Sequence, residues 1–395
     1  MQRVGRWILG TVVVALGVVG WVPRGSADIR SDQAAAIVMY PLIQAFDLDF
    51  VILEAVGDTI IQLSNTSTQP AAAHCFYENA NAHCSNTGAV CTRAIECCEG
   101  DGCGICAPGW NEIDFHVRIT PRQPLGWSAT HGMQGFGSDF GKFKLDGVVL
   151  QGIGGSSNAT SSIPPLPESP FIGSLTCVAV DEITGVPVDR NVLKGEATQE
   201  VRAADFGATV SFDVHKHNAV GIQAIAGAVN DDRELILGGV DAEYNGCPSH
   251  LIVNHVFDRG QNPVSGEPAT TRVALVPCAQ NLRTQVPGSA VVQYLVYNEF
   301  EQRFSTSKTV ECQQYQPLST IDTTQPERSI FSAGVAGTLY GQSRLNPLGS
   351  GLLGIAVEGY GLATDSVAGG VAMHSASTNL HYQGDRVAAD VIALP

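Results

Sequence analysis

In several stretches of this chain apolar and polar residues alternate with a period of two. Thr209 to His217 reads TVSFDVHKH, with Val210, Phe212 and Val214 on one face and Thr209, Ser211, Asp213, His215 and His217 on the other. That pattern predicts a half-buried strand with the valine face inward. Phe115, Val117 and Ile119 alternate with His116, Arg118 and Thr120 in the same way. The runs Val273 to Val276 and Val291 to Tyr297 are rich in the β-branched and aromatic residues that suit a pleated surface. Helical periodicity is scarce, and Glu196 to Phe206 (EATQEVRAADF) is its best candidate. Gly126 to Gly141, Gly152 to Pro170 and Asp258 to Pro268 read as surface loops. Short strands without intervening helices predict an all-β chain of antiparallel sheets, folded as two packed β-sandwiches of Ig-like or jelly-roll-like type.

The two sandwiches are expected to be related, because one passage occurs twice. AAAIVMYPLIQAFD, DTIIQLSNTS and AAAHCFY are answered by SHLIVNHVFDRG, TTRVALVPCAQN and SAVVQYLVY. Asn298-Glu299 and Gln316-Pro317-Leu318 follow the second copy. Their counterparts Asn111-Glu112 and Gln123-Pro124-Leu125 follow the first only after residues 78–110 have intervened. Gly173 to Glu182 resembles Gly351 to Tyr360, and Asn191 to Gly195 resembles Asn379 to Gly384. Five ordered matches favour duplication over chance likeness of apolar strands. The reading is therefore a signal at 1–27, a first module at 28–205 with the insert at 78–110, and a second module at 206–395. Residues 206–248 supply connecting strands that suit either module.

Composition places these modules outside the cytoplasm. Arg3 and Arg6 precede an apolar run of 15 residues, Ile8 to Val22, and Gly25-Ser26-Ala27 offers a cleavage site after Ala27. An uncleaved anchor is the competing reading. No later stretch reaches about 18 apolar residues, so no transmembrane segment is expected after cleavage. Loss of residues 1–27 removes three arginines and no acid, moving the net charge from −16 to −19. So acidic a chain is repelled by phosphate backbones, which excludes nucleic acid and leaves cations or basic surfaces open. The protein is expected in the periplasm, on the cell surface or outside the cell.

Six of the 11 cysteines lie in the insert, at Cys84, Cys91, Cys97, Cys98, Cys103 and Cys106. A segment this short cannot order itself by burial, so crosslinks are expected. The neighbours Cys97 and Cys98 cannot easily pair with each other and must reach in different directions. The first four intervals of this spacing resemble those of the knottin (inhibitor cystine-knot) miniproteins. The resemblance implies Cys84–Cys98, Cys91–Cys103 and Cys97–Cys106, although the last loop is shorter than is usual in that family. A zinc site at Cys103-x-x-Cys106 with His83 competes, but an exported chain meets oxidising conditions. Of the other five, Cys75–Cys177 and Cys278–Cys312 are the expected bridges and Cys247 the odd thiol.

Candidate chemistry is sparse. Asp213, His215 and His217 share a strand face and together offer two imidazoles and a carboxylate for zinc or copper, the one possible cofactor; the competing reading is a solvated face. His215-x-His217 resembles the first motif of the cupin family, but no glutamate follows at the expected distance. His250 and His255 can join in space; His74, His83, His116, His131, His374 and His381 are scattered. Gly349-x-Gly351-x-x-Gly354 matches a dinucleotide fingerprint by letter but lacks its strand-then-helix setting. Asp47 and Asp49 share a face, as a calcium or acid–base pair does. Asn65 and Asn158 head formal glycosylation sequons. DTIIQLSNTS and VVQYLVYNEFEQRFS resemble segments of uncharacterised exported bacterial β-sandwich proteins, a likeness that implies fold and location. These readings lead to a non-catalytic exported protein that binds a protein or carbohydrate surface or forms part of the envelope. A secreted hydrolase or metal-dependent enzyme acting on an extracellular polymer is the alternative.

Overall fold

The computed structural model describes residues 33–49, 53–91, 94–99, 102–108, 111–133, 143–145, 148–150, 163–205, 208–261, 263, 266–322, 328–361 and 374–395. The proposed signal lies outside them, as do Asn158, residues 134–141 of the Gly126–Gly141 loop and residues 152–162 of the Gly152–Pro170 loop. The first half opens with β1 (Ile37–Asp49), β2 (Leu53–Asn65) and β3 (Ala71–Asn79). Five short strands of the insert follow, β4 (Ala82–Cys84), β5 (Val90–Cys91), β6 (Cys98–Glu99), β7 (Gly102–Cys103) and β8 (Cys106–Pro108). Then come β9 (Asn111–Ile119), β10 (Pro124–Ser128), a small hairpin of β11 (Phe143–Leu145) and β12 (Val148–Leu150), β13 (Phe171–Val180), β14 (Leu193–Asp205), β15 (Ala208–Asn218), β16 (Val220–Ile222) and β17 (Glu234–Leu237). The second half has β18 (Pro248–Val256), β19 (Gly260–Gln261), β20 (Pro268–Pro277), β21 (Gln280–Asn281), β22 (Ser289–Asn298) and β23 (Arg303–Glu311). It ends with β24 (Gln314–Pro317), β25 (Tyr340–Gly349), β26 (Leu352–Tyr360), β27 (His374–Asn379), β28 (His381–Asp385) and β29 (Asp390–Ala393). Almost every contact between these strands is antiparallel, as the alternation predicts.

In the first half one layer runs β9-β3-β13-β1-β16 and the other β15-β14-β2-β10. β1 belongs to both. Its residues up to Ala45 pair with β13, and Phe46 to Asp49 pair with β2. The register slips between Tyr40 and Ile43, at Pro41, which has no N–H to give to a ladder. The second half repeats these pairings strand for strand: β23-β22-β25-β18-β28 in one layer, β27-β26-β20-β24 in the other, with the short β19 on β20.

The repeated pairings correct two of the sequence matches. Gly173–Glu182 lies on β13 and Gly351–Tyr360 on β26, but the strand in the place of β13 is β25, and β26 answers β14. Asn191–Gly195 and Asn379–Gly384 are likewise out of step. β13 and β26 are almost wholly buried strands, so apolar content rather than position made them alike. Of the expected helix Glu196–Phe206, the described residues 196–205 are not helical, because they lie in β14, between β2 and β15, where ladder bonds on both sides override their helical composition. β15 and β16 pair with β14 and β1, so residues 208–222 complete the first half rather than opening the second.

Side-chain bonds clasp the layers of the first half, among them Gln199 Nε2 on β14 to the Leu42 carbonyl on β1 at 3.1 Å. Trp127 Nε1 on β10 donates to Tyr77 Oη on β3 at 2.6 Å, and Tyr40 Oη on β1 donates to the Gln62 carbonyl on β2 at 2.7 Å. Tyr294 on β22 accepts from Gln314 Nε2 on β24 at 3.3 Å, in the place of the Tyr77–Trp127 bond. The halves are also joined to each other. The first core continues into Val276, Cys278, Leu353, Ile392 and Leu394, and β17 pairs with β29 of the second half. Leu42 packs with Ala274, Ile355 and Val357, while Gln313 Nε2 donates to the carbonyls of Pro41 and Gly173. Cys75–Cys177 crosslinks paired residues of β3 and β13, as expected.

Cys247, however, pairs with Cys278, and Cys312 keeps a buried thiol 3.7 Å from the Asn79 carbonyl. The expected Cys278–Cys312 bridge is therefore corrected. Cys247 and Cys278, with Cα atoms 6.6 Å apart, tie the connection between the halves to the end of β20. Close layer contact at Gly195 supplies a test. A Cβ there would lie 2.1 Å from Tyr40 Oη and 2.5 Å from its Cζ. Gly195→Ala is expected to displace the Tyr40 clasp and cost about 1–3 kcal/mol in urea unfolding; unchanged stability would show that the clasp is not under compression.

Candidate functional site

The insert hangs from the end of the β3–β9 ladder, whose last pair is Asn79 and Asn111. β4 pairs with β5 and β8, and β6 with β7. The bridges are Cys84–Cys97, Cys91–Cys106 and Cys98–Cys103. The pairing implied by the knottin resemblance, Cys84–Cys98, Cys91–Cys103 and Cys97–Cys106, is thus corrected. Cys98 and Cys103 face each other across the β6–β7 hairpin with Cα atoms 4.0 Å apart, so the local turn captures them. Two interlaced bridges then remain, and the adjacent Cys97 and Cys98 do diverge, as their geometry requires. With Cys103 and Cys106 both oxidised, the zinc alternative lacks its thiolates.

Glu168 anchors the base of the insert. Its Oε1 accepts from Asn79 Nδ2 at 2.7 Å and Asn81 Nδ2 at 2.6 Å, and its Oε2 lies 2.9 Å from His83 Nε2. Burial opposes ionisation of this carboxyl, but donation from His83, Asn79 and Asn81 outweighs it and lowers the pKa. Elsewhere on the insert Ile95 and Ile105 are 67% and 69% exposed.

β15 carries the expected alternation with the opposite face inward. Val214 is 45% exposed, whereas Asp213 and His217 are buried. The reason lies in β27. Ser375 N donates to Asp213 Oδ1 at 3.0 Å, Ser377 Oγ to the Lys216 carbonyl at 2.7 Å, and Asn379 Nδ2 to the Asn218 carbonyl at 2.8 Å. A polar strand of the second half thus covers the polar face of β15. Both competing readings of Asp213, His215 and His217 change as a result. The face is not solvated, and the three do not bring their donor atoms within 4.8 Å of one another. On a strand rising about 3.3 Å per residue, positions 213 and 217 stand roughly 13 Å apart, too far to share an ion. His250 pairs instead with Ser249 Oγ and His255 with Ser343 Oγ.

Of the remaining candidates, Asp47 is exposed, and the side chain of Asp49 lies outside the described residues. Gly349 and Gly351 form the β25–β26 turn, where no helix follows. Asn65 is buried, with its amide donating to the carbonyls of Gln69, Ile119 and Thr120, which makes it a structural bracket rather than a sugar acceptor.

Register gathers two polar clusters that sequence spacing does not. Glu78 is fully buried and accepts from Ser174 Oγ at 2.6 Å, Thr176 Oγ1 at 2.7 Å and, across the seam, Gln280 Nε2 at 2.9 Å. Burial raises its pKa, and these three donors offset only part of that rise. Four residues before Glu78 on β3, His74 lies opposite His116 with their rings stacked at 3.9 Å. Asp114, on the same face, holds His74 Nε2 at 2.8 Å. Asp114-x-His116 on a polar strand face was the legible half of this cluster; His74 joins it only once β3 and β9 are paired. Glu112, next on that face, is pushed up to about 7 by burial and by the charge of Asp114.

No protein-family model matches this chain, and no curated protein matches it at a significant level. Two tests follow from the geometry. Non-reducing peptide mapping is expected to recover the three insert bridges given above, with Cys312 alkylated only after denaturation. Any Cys84–Cys98 peptide would refute this pairing. His217 is fully enclosed, its pKa lowered to about 3 by burial and then by His215, and neither ring nitrogen has a protein partner. The unfolded chain takes up this proton near pH 6.5 and the folded one does not, so stability is lost as pH falls. His217→Phe is expected to remove about 1.5 kcal/mol of the loss between pH 6.5 and 5. Parallel wild-type and variant denaturation curves at both pH values would count against this.

Proposed function

We propose that this is an exported, non-catalytic recognition protein that uses the disulfide-stapled insert to bind a protein or carbohydrate surface at the cell envelope. The observation that carries the reading is the pair Ile95 and Ile105. Both are largely exposed on a segment held by three bridges and the Glu168 carboxylate. Apolar side chains fixed on a rigid knob can enter an interface at little further ordering cost. The five disulfides point to an oxidising compartment, which agrees with export through residues 1–27. The repeated pairing order supports duplication of one ancestral sandwich, with the knob added to the first copy.

Fluorescently labelled protein should bind the envelope fraction of source cells. Ile95→Ser with Ile105→Ser should reduce that binding at least tenfold while leaving the melting curve in place, because both side chains are already in solvent. Full binding by this variant would make the insert a stability device only.

A further inference from the structure

The histidine–aspartate cluster at the β3–β9 ladder is used neither by the core nor by the proposed recognition surface. We infer that His74, Asp114 and His116 form a binding site for a borderline divalent cation of the zinc or copper(II) kind. The three side chains leave one face of two adjacent strands, with His74 and His116 directly paired and Asp114 two residues before His116. One donor atom from each lies within 4.8 Å of the others. Bonds of about 2.0–2.2 Å to a shared ion place donors roughly 3–3.5 Å apart. The His74–Asp114 separation of 2.8 Å shows that these two already stand at close to that spacing. Closing the set requires a side-chain rotation by His116, which is exposed and leaves its stack on His74 to make it.

The chemistry of the donors selects the ion. Two imidazoles and one carboxylate suit zinc or copper(II) and are poor ligands for calcium, which takes six or more oxygens. The burial of His74 contrasts with the half-exposed carboxylate of Asp114. The site therefore has a fixed inner ligand and an open outer side. β9 is the edge strand of its layer, so water or an external ligand can reach the remaining coordination positions. Arg233 is the opposing charge near His74. Its guanidinium is tied to the Pro395 carbonyl at 2.6 Å.

The site differs from the sequence candidate on β15 in a way that matters. There the residues run along one strand and diverge; here they converge because they come from two. It is also independent of the recognition reading, since it is tested with metal alone. The full chain lacking residues 1–27 is freed of metal with a chelator, disulfides intact, and titrated with zinc by calorimetry and with copper(II) under electron paramagnetic resonance. The expected result is one tight equivalent whose copper spectrum reports two nitrogen ligands. His116→Ala and Asp114→Asn should each weaken it roughly 100-fold, since loss of a direct ligand costs at least as much as loss of an outer-shell partner. His215→Ala should bind as wild type. His116 and Asp114 are solvent-accessible, so unchanged circular dichroism is expected for their variants. Absence of a tight equivalent, or binding that survives His116→Ala and Asp114→Asn, would overturn the assignment. Loss on His215→Ala alone would move the metal to β15 and overturn it equally.

Discussion

The two layers of the first half are one body because a single strand belongs to both. β1 is buried from Ile37 to Ile43 and pairs with β13 and β16 before its end crosses to β2. The slip at Pro41 makes the crossing possible, since a strand in unbroken register would stay in one sheet. The same stretch faces the second half. Leu42 packs against Ala274, Ile355 and Val357, and the Pro41 carbonyl receives Gln313. A break in the ladder therefore has two roles. It turns the strand between layers, and it frees a carbonyl that the neighbouring half then satisfies.

The seam between the halves is partly apolar and partly polar, and the polar part explains where sequence reasoning went astray. Alternation fixes that residues 213, 215 and 217 share a face, but not which face is inside. That depends on β27, more than 150 residues away, whose serines and asparagine complement the polar side. Glu78 is the same case on the other layer. A glutamate inside a buried strand reads as an error until Ser174, Thr176 and Gln280 converge on it.

What was legible in the sequence was local. The alternation of Phe115, Val117 and Ile119 put them in the core, and the runs near Val273 and Val291 proved to be strands. The all-β class followed from the same signals. The triplets Gln123-Pro124-Leu125 and Gln316-Pro317-Leu318 mark equivalent strands but not equivalent positions, since Pro124 opens β10 and Pro317 closes β24. Strand identity was lost on β13, β14 and β26, where burial makes every sequence look apolar or leaves helical composition unopposed. The disulfides divide similarly. Cys75–Cys177 matched the expectation, whereas pairing Cys278 with Cys312 because both lie on strands of one module failed, since Cys278 reaches Cys247 in the connection between the halves. Cys98–Cys103 was set by a hairpin that spacing borrowed from another family could not show. The histidine cluster needed a register, which no single sequence states.

The position of the insert also bears on how such a protein changes over time. In the second half β22 and β23 are joined by a short turn, with Tyr297 paired to Arg303. In the first half the equivalent hairpin is opened at its tip, and the ladder below closes undisturbed at Asn79 and Asn111. Lengthening a connection at that point adds only slowly growing chain entropy and alters no register. The knob carries its own crosslinks, so it asks of the sandwich only two adjacent strand ends and the Glu168 carboxylate that holds Asn81 and His83 at its base. The sandwich is thus a socket. Its cargo can be exchanged for another self-bracing loop while the layers beneath stay as they are, and variation in what is presented is separated from variation in what holds it.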